Sequence, residues 1–179
     1  MAENIELEQE TASVMAFALR TAGDINPYYW DIPQDFKRPA MYFPQPEIDT
    51  GGDTLGTYSS EYAWYINVFA DTTEEAHGIA RRVLTALKRA RNYVPLLNED
   101  GEETGKKLRL KDPGLKRGDV GVAQLTIEWT SRRSYADDEP PKVKITHSLF
   151  SKKEESPDGE QDQGRSPRAE SGGGAQNPY

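Results

Sequence analysis

The chain has no cysteine and only two histidines among its 179 residues. The first absence removes disulfide frameworks and thiolate chemistry, and fits assembly in a reducing compartment. The second leaves little material for a zinc site or an imidazole base, because His77 and His147 each stand without a ligand spacing around them. No run of about 18 apolar residues occurs, so no segment is built to cross a membrane as a helix. The opening residues, MAENIELEQE, are acidic, which argues against a signal or transit peptide. Positive charge is also in deficit. Lys and Arg number 22 against 30 Asp and Glu, a net charge of −8. That balance argues against a protein that coats nucleic acid by blanket phosphate neutralisation.

What the chain does have is packing residues in ordered patterns. Asn4 to Ala22 carries Leu7, Val14 and Ala18 on one stripe, with Met15 and Leu19 beside it. The spacing predicts a helix capped by Asn4, with Glu6 and Glu8 in its first turn and Gly23 as its stop. Asn26 to Pro39 holds three prolines among its aromatics and is expected to be irregular. Ala40 to Phe43 reads as a short strand halted by Pro44 and Pro46. EIDTGGDTLG after it has turn chemistry, the tip of a hairpin or a long loop. Then TYSSEYAWYINVF alternates, with Tyr62, Trp64, Ile66 and Val68 sharing a face. At Thr72 the period changes from two to 3.6. Thr72-x-x-Glu75 has the form of a capping box, and Ala76, Ile79, Ala80, Val83 and Leu87 make a helical stripe ending near Asn92. Tyr93 to Leu97 and KLRLKD read as strands on either side of NEDGEETGKK. The last strong strand, in DVGVAQLTIEWTSRRSY, puts Ala123, Leu125, Ile127 and Trp129 on one side.

Strands on both sides of one central helix predict an α+β fold: a mixed or antiparallel sheet with helices mainly on one face. Apolar periodicity stops after about Lys144. Residues 1–145 are expected to form the domain, and 146–179, rich in Ser, Gly, Pro and Glu, a low-complexity tail that is disordered alone.

Chemistry is thin. GEETGKKL lacks the loop length and the final Ser or Thr of a phosphate-binding loop, and NEDGEE lacks the six-ligand spacing of a calcium loop. The carboxylates Asp49, Asp53 and Glu61 read as turn formers and a strand-surface acid rather than an acid–base pair. Catalytic residues, cofactors and metals are all expected to be none. Lys106, Lys107, Arg109, Lys111, Lys116 and Arg117 form a basic run in an acidic chain, suited either to DNA or to an acidic surface on a neighbouring subunit.

Three stretches together, RPAMYFPQPE, YAWYINVFADTTEEAHGIARRVLTALKRAR and VGVAQLTIEWTSRRSY, resemble a tail terminator of long-tailed bacteriophages and phage-like tail particles. The likeness runs over roughly residues 10 to 135. It implies a non-enzymatic virion structural protein whose subunits close into a six-fold ring. The ring caps the tail tube, ends its elongation and offers the surface for head–tail joining. The implied partners are further copies of the chain, the tail tube protein, a head-connector or neck protein, and a sheath protein if the tail contracts. DNA passes through the lumen without specific binding, and no membrane is involved. The implied location is the virion tail, assembled in the host cytoplasm. A ring subunit buries aromatics between chains, so Tyr28, Tyr29, Trp30, Tyr58 and Tyr65 join the basic run as interface candidates. Each is equally able to pack within its own chain. The alternative is a small α+β module that binds nucleic acid or a regulatory partner.

Overall fold

The computed structural model describes residues 5–136 and 142–145. In chain order the elements are β1 (Ile5–Glu8), α1 (Gln9–Ala22), β2 (Asn26–Tyr29), β3 (Ala40–Phe43), β4 (Glu47–Gly52), β5 (Thr57–Phe69), α2 (Thr73–Arg89), β6 (Tyr93–Leu97), β7 (Glu103–Arg109), β8 (Gly114–Arg117), β9 (Val122–Ser134) and β10 (Lys142–Ile145). The fold is α+β, as the pattern predicts.

The spine is the antiparallel pair β5 and β9, thirteen residues each, in unbroken register from Thr57↔Ser134 to Phe69↔Val122. The main sheet has the order β2-β3-β5-β9-β8, with β4 also on β5. It is mixed, because β2 runs parallel to β3 while the other pairs are antiparallel. One face carries Tyr62, Trp64, Ile66, Val68, Ala123, Leu125, Ile127 and Trp129, all buried in a single core with the apolar stripes of α1 and α2. The period-two alternation on both strands therefore separates a helix-covered face from an open one. On the open face Ala63, Tyr65, Asn67, Gln124 and Thr126 are half-buried. Two small sheets, β6-β7 and β1-β10, flank the main one.

Aromatic rings fix the centre of the core. Tyr62 stacks on Trp129 at 4.7 Å, and Trp64 meets Trp129 edge-on at 6.2 Å. Pro44 and Pro46 break the edge between β3 and β4, which lie end to end along β5. The break leaves the Pro44 carbonyl outside the ladder, and the Trp64 indole N–H donates to it at 2.6 Å. A buried tryptophan thus satisfies its one donor at the place where the sheet cannot.

Five sequence expectations are corrected. The first helix starts at Gln9, because Ile5–Glu8 pairs antiparallel with Lys142–Ile145, a partner more than 130 positions away that no local pattern reveals. Glu6 and Glu8 therefore precede the helix rather than fill its first turn, and Asn4 lies outside the described residues. Asn26–Tyr29 is a strand inside the stretch expected to be irregular. It tolerates Pro27 because it is the edge strand of the sheet. EIDTGG is strand β4, templated residue by residue by β5, and the turn shrinks to Asp53–Gly56. Half of NEDGEETGKK belongs to β7, and GLKR forms the short β8. The second helix ends at Arg89, three residues early, where Arg91 and Asn92 turn into left-handed conformations. Its start is as read: Thr72 Oγ1 accepts the Glu75 N–H at 3.2 Å. The tail from 146 onward, with His147, lies outside the described residues.

Candidate functional site

The basic run does not stay together. Lys106, Lys107 and Arg109 lie exposed on β7, in the small sheet. Lys116 and Arg117 lie exposed on β8, at the edge of the main sheet. Their register partners, Gln124 and Ala123, point to opposite faces, so Lys116 belongs to the open face and Arg117 to the helix-covered one. Lys111 sits between, and its ammonium meets Glu61 at 3.2 Å.

The aromatic candidates divide as well. Tyr29 stacks on core Phe43 at 5.9 Å, and burial pushes its phenol well above the ordinary tyrosine range. Tyr28 packs edge-to-face on Phe36 at 6.0 Å, and its hydroxyl accepts the Lys37 N–H. Tyr58 lies against Tyr135 at 5.4 Å. These three make contacts within the chain. Tyr65 stands half-buried at the middle of the open face. Trp30 is 43% exposed at a φ of 59°, costly for a bulky residue. Two hydrogen bonds hold it: its N–H donates to the Phe43 carbonyl at 3.0 Å, and its carbonyl accepts the Tyr42 hydroxyl at 2.6 Å.

GEETGKKL is a turn feeding a strand. Asn98 Oδ1 accepts the N–H groups of Asp100 and Glu102, at 3.1 and 2.8 Å, and so occupies the donors a phosphate would need. His77 is half-buried on α2. Among the described residues no group of three His, Asp or Glu side chains is placed to hold a metal.

Two features escape sequence reading. The first is a polar latch at the start of α1. Glu10 accepts the Trp129 indole N–H and the Ser131 hydroxyl, both at 2.8 Å. Glu8 accepts the Tyr62 hydroxyl at 2.7 Å and Arg133 Nη2 at 3.2 Å. Burial, then the Glu8 carboxylate, pushes the Tyr62 phenol well above its ordinary value. Each partner is more than 50 positions away, so no spacing signal exists. The second is an acidic corner on the open face. Asp49 and Glu61 are directly opposite in register, and Glu47 pairs with Ala63, which in turn faces Glu128. Asp49 and Glu61 can be seen in the sequence as carboxylates, but not as neighbours. Asp53 stands apart, in an ion pair with Arg132.

A strand edge, an exposed tryptophan and charge sorted by face are what the described surface carries. Phage-like element PBSX protein XkdJ of Bacillus subtilis (strain 168) is 34% identical over 135 residues, covering 75% of this chain and 92% of that protein. The chain belongs to the XkdJ family. A second relative within reach of this family is the uncharacterized protein YqbJ of the same organism, 33% identical over 129 residues, covering 72% of this chain and 88% of YqbJ. No family model matches the sequence. Among solved structures, a chain from the virion of a native gene transfer agent particle aligns at 13% identity and a TM-score of 0.41, covering 69% of this chain and 93% of that one. Likeness at that level carries no inference about role.

Proposed function

We propose that this XkdJ relative is a virion structural protein that forms a ring on the end of the tail tube. The ring stops elongation and presents the surface that joins head to tail. The observation that carries the reading is membership in a phage-like element family over nearly the whole length of its named member. The molecule suits the role physically. Its well-formed parts are a rigid sheet and two helices, and its surface chemistry lies in strand edges and charge. Head-to-tail contacts between identical subunits close into a ring when the rotation allows. An acidic chain suits a lumen through which DNA must slide, since a basic wall would bind phosphates. In this reading Lys106, Lys107 and Arg109 face a neighbouring subunit or the tube rather than the lumen. The chain takes no metal or nucleotide and turns over no substrate. The partners are further copies, the tube protein, a neck protein, and a sheath where the tail contracts.

Imaging of intact particles tests this. The expected result is a ring of this chain at the head-proximal end of the tail, coaxial with the tube. Loss of the gene should leave tails of uncontrolled length and heads unjoined. Finding the chain away from the tail axis, or copies that do not surround a channel, overturns the reading.

A further inference from the structure

Besides the β2 edge, the main sheet has two free edges of opposite character, β4 and β8. β4 pairs only with β5, and all six of its residues are exposed. β8 pairs only with β9. Among the described residues no strand takes the outer side of either. An unpaired edge displays a row of N–H and C=O groups that favours pairing with another chain. β4 brings Glu47 and Asp49 to the open face and Ile48, 52% exposed, to the helix-covered face. β8 brings Lys116 to the open face and Leu115 to the helix-covered one. Acid and base share one side, and two aliphatics share the other.

We propose that β4 of one copy pairs antiparallel with β8 of the next, with Ile48 opposite Leu115 and Glu47 opposite Lys116. The inference rests on the ring reading and supplies its subunit contact. Strand direction permits it: β4 and β9 both run antiparallel to β5, and β8 runs antiparallel to β9. A sheet continued from β8 to the neighbour's β4 therefore stays antiparallel. The charge balance also favours it. Within one copy Asp49 and Glu61 face each other with Glu47 and Glu128 nearby, and Lys111 is the cation that reaches Glu61. Like charges directly opposite in a ladder destabilise it, and a neighbour's Lys116 offsets them.

The register yields an independent check. Lys116 aligns through Gln124 with Asn67 of β5, whereas Glu47 aligns with Ala63. Each step to the next copy thus shifts the sheet by four residues across four strands, β4, β5, β9 and β8. That is roughly 13 Å along the strands for roughly 19 Å across them, a tilt of about 35°. Closed barrels need strands tilted by roughly 35–45°, and one residue of shift per strand is the stagger of the eight-stranded α/β barrel. A slip of the contact by one residue would put Lys116 opposite Ile48 on the wrong face.

The absence of native cysteine makes a direct test possible. Full-length chain carrying Glu47→Cys and Lys116→Cys together is assembled into intact tail particles and oxidised. Within one copy the two positions lie on opposite edges, too far apart to bridge. The expected result is a ladder of covalent multimers up to the closed ring, reversed by reductant. The pair Ile48→Cys with Lys116→Cys should not link. Lys116→Glu should lower assembly about tenfold, with recovery when Glu47→Lys is added in the same chain. Rings that form without the ladder and ignore both charge changes overturn the edge pairing and leave the ring standing. Linkage of Lys116→Cys to a different protein also overturns it. Particles with no ring of this chain overturn both.

Discussion

At Gly121 one hydrogen in place of a side chain lets two elements meet. The residue has a φ of 76°, and a Cβ there would lie 2.7 Å from the Ala70 carbonyl oxygen. Its backbone closes the junction of β5 and α2, donating to Thr73 Oγ1 and accepting from the Ala70 N–H, both at 3.0 Å. Gly78 contrasts with it. It lies inside α2, and a Cβ there would meet nothing within 4 Å. Gly121→Ala is expected to cost about 2 kcal/mol through strain and steric conflict. Gly78→Ala is expected to add about 0.5–1 kcal/mol through helix propensity. Urea denaturation of both variants checks the opposite signs. A strand-end glycine and a helical glycine look alike in the sequence, and only the neighbour supplied by another element separates them.

Elements were legible wherever one residue pattern and one tertiary environment agreed. α2 has a capping threonine, an acidic first turn and a basic last turn, and each is where the helix dipole favours it. Thr72→Ala removes the acceptor for the Glu75 N–H and should cost about 1 kcal/mol, read as a lowered melting temperature. β5 and β9 were legible for the same reason, since alternation alone separates their two faces. β1, β4 and β8 were not. Ile5–Glu8 has a partner at the far end of the domain, Glu47–Gly52 is held extended by β5 against its own turn chemistry, and Gly114–Arg117 has four residues behind a proline. Short strands carry too little periodicity to outweigh local propensity, so their partners decide them. The candidate surface follows the same rule. Its charged residues were visible in the sequence, but their sorting onto two edges and two faces is a product of register.

For the whole molecule, the long-range contacts set the response to pH. Tyr29 and Tyr62 both have phenols raised by burial above the ordinary value of 10.0. In the folded state they stay neutral where the unfolded chain would ionise. Their contribution to stability is therefore complete below pH about 10 and is lost as pH rises above it toward the folded values. Stability should fall on the alkaline side, and Tyr62→Phe should flatten that fall while losing the hydrogen bond to Glu8. Denaturation midpoints measured between pH 8 and 11 check it. A steeper fall in Tyr62→Phe than in the parent would contradict the assignment.

The three tryptophans give the chain a built-in optical signature. Trp64 and Trp129 are buried within 6.2 Å of each other, while Trp30 stands 43% exposed at a strand end. Emission from the buried pair is expected to lie to the blue and out of reach of aqueous quenchers, and that of the partly exposed Trp30 to lie to the red and within their reach. One spectrum should therefore separate two events: loss of the core moves the buried pair to the red, and covering of the outer surface shifts only the Trp30 component to the blue and shields it from quencher.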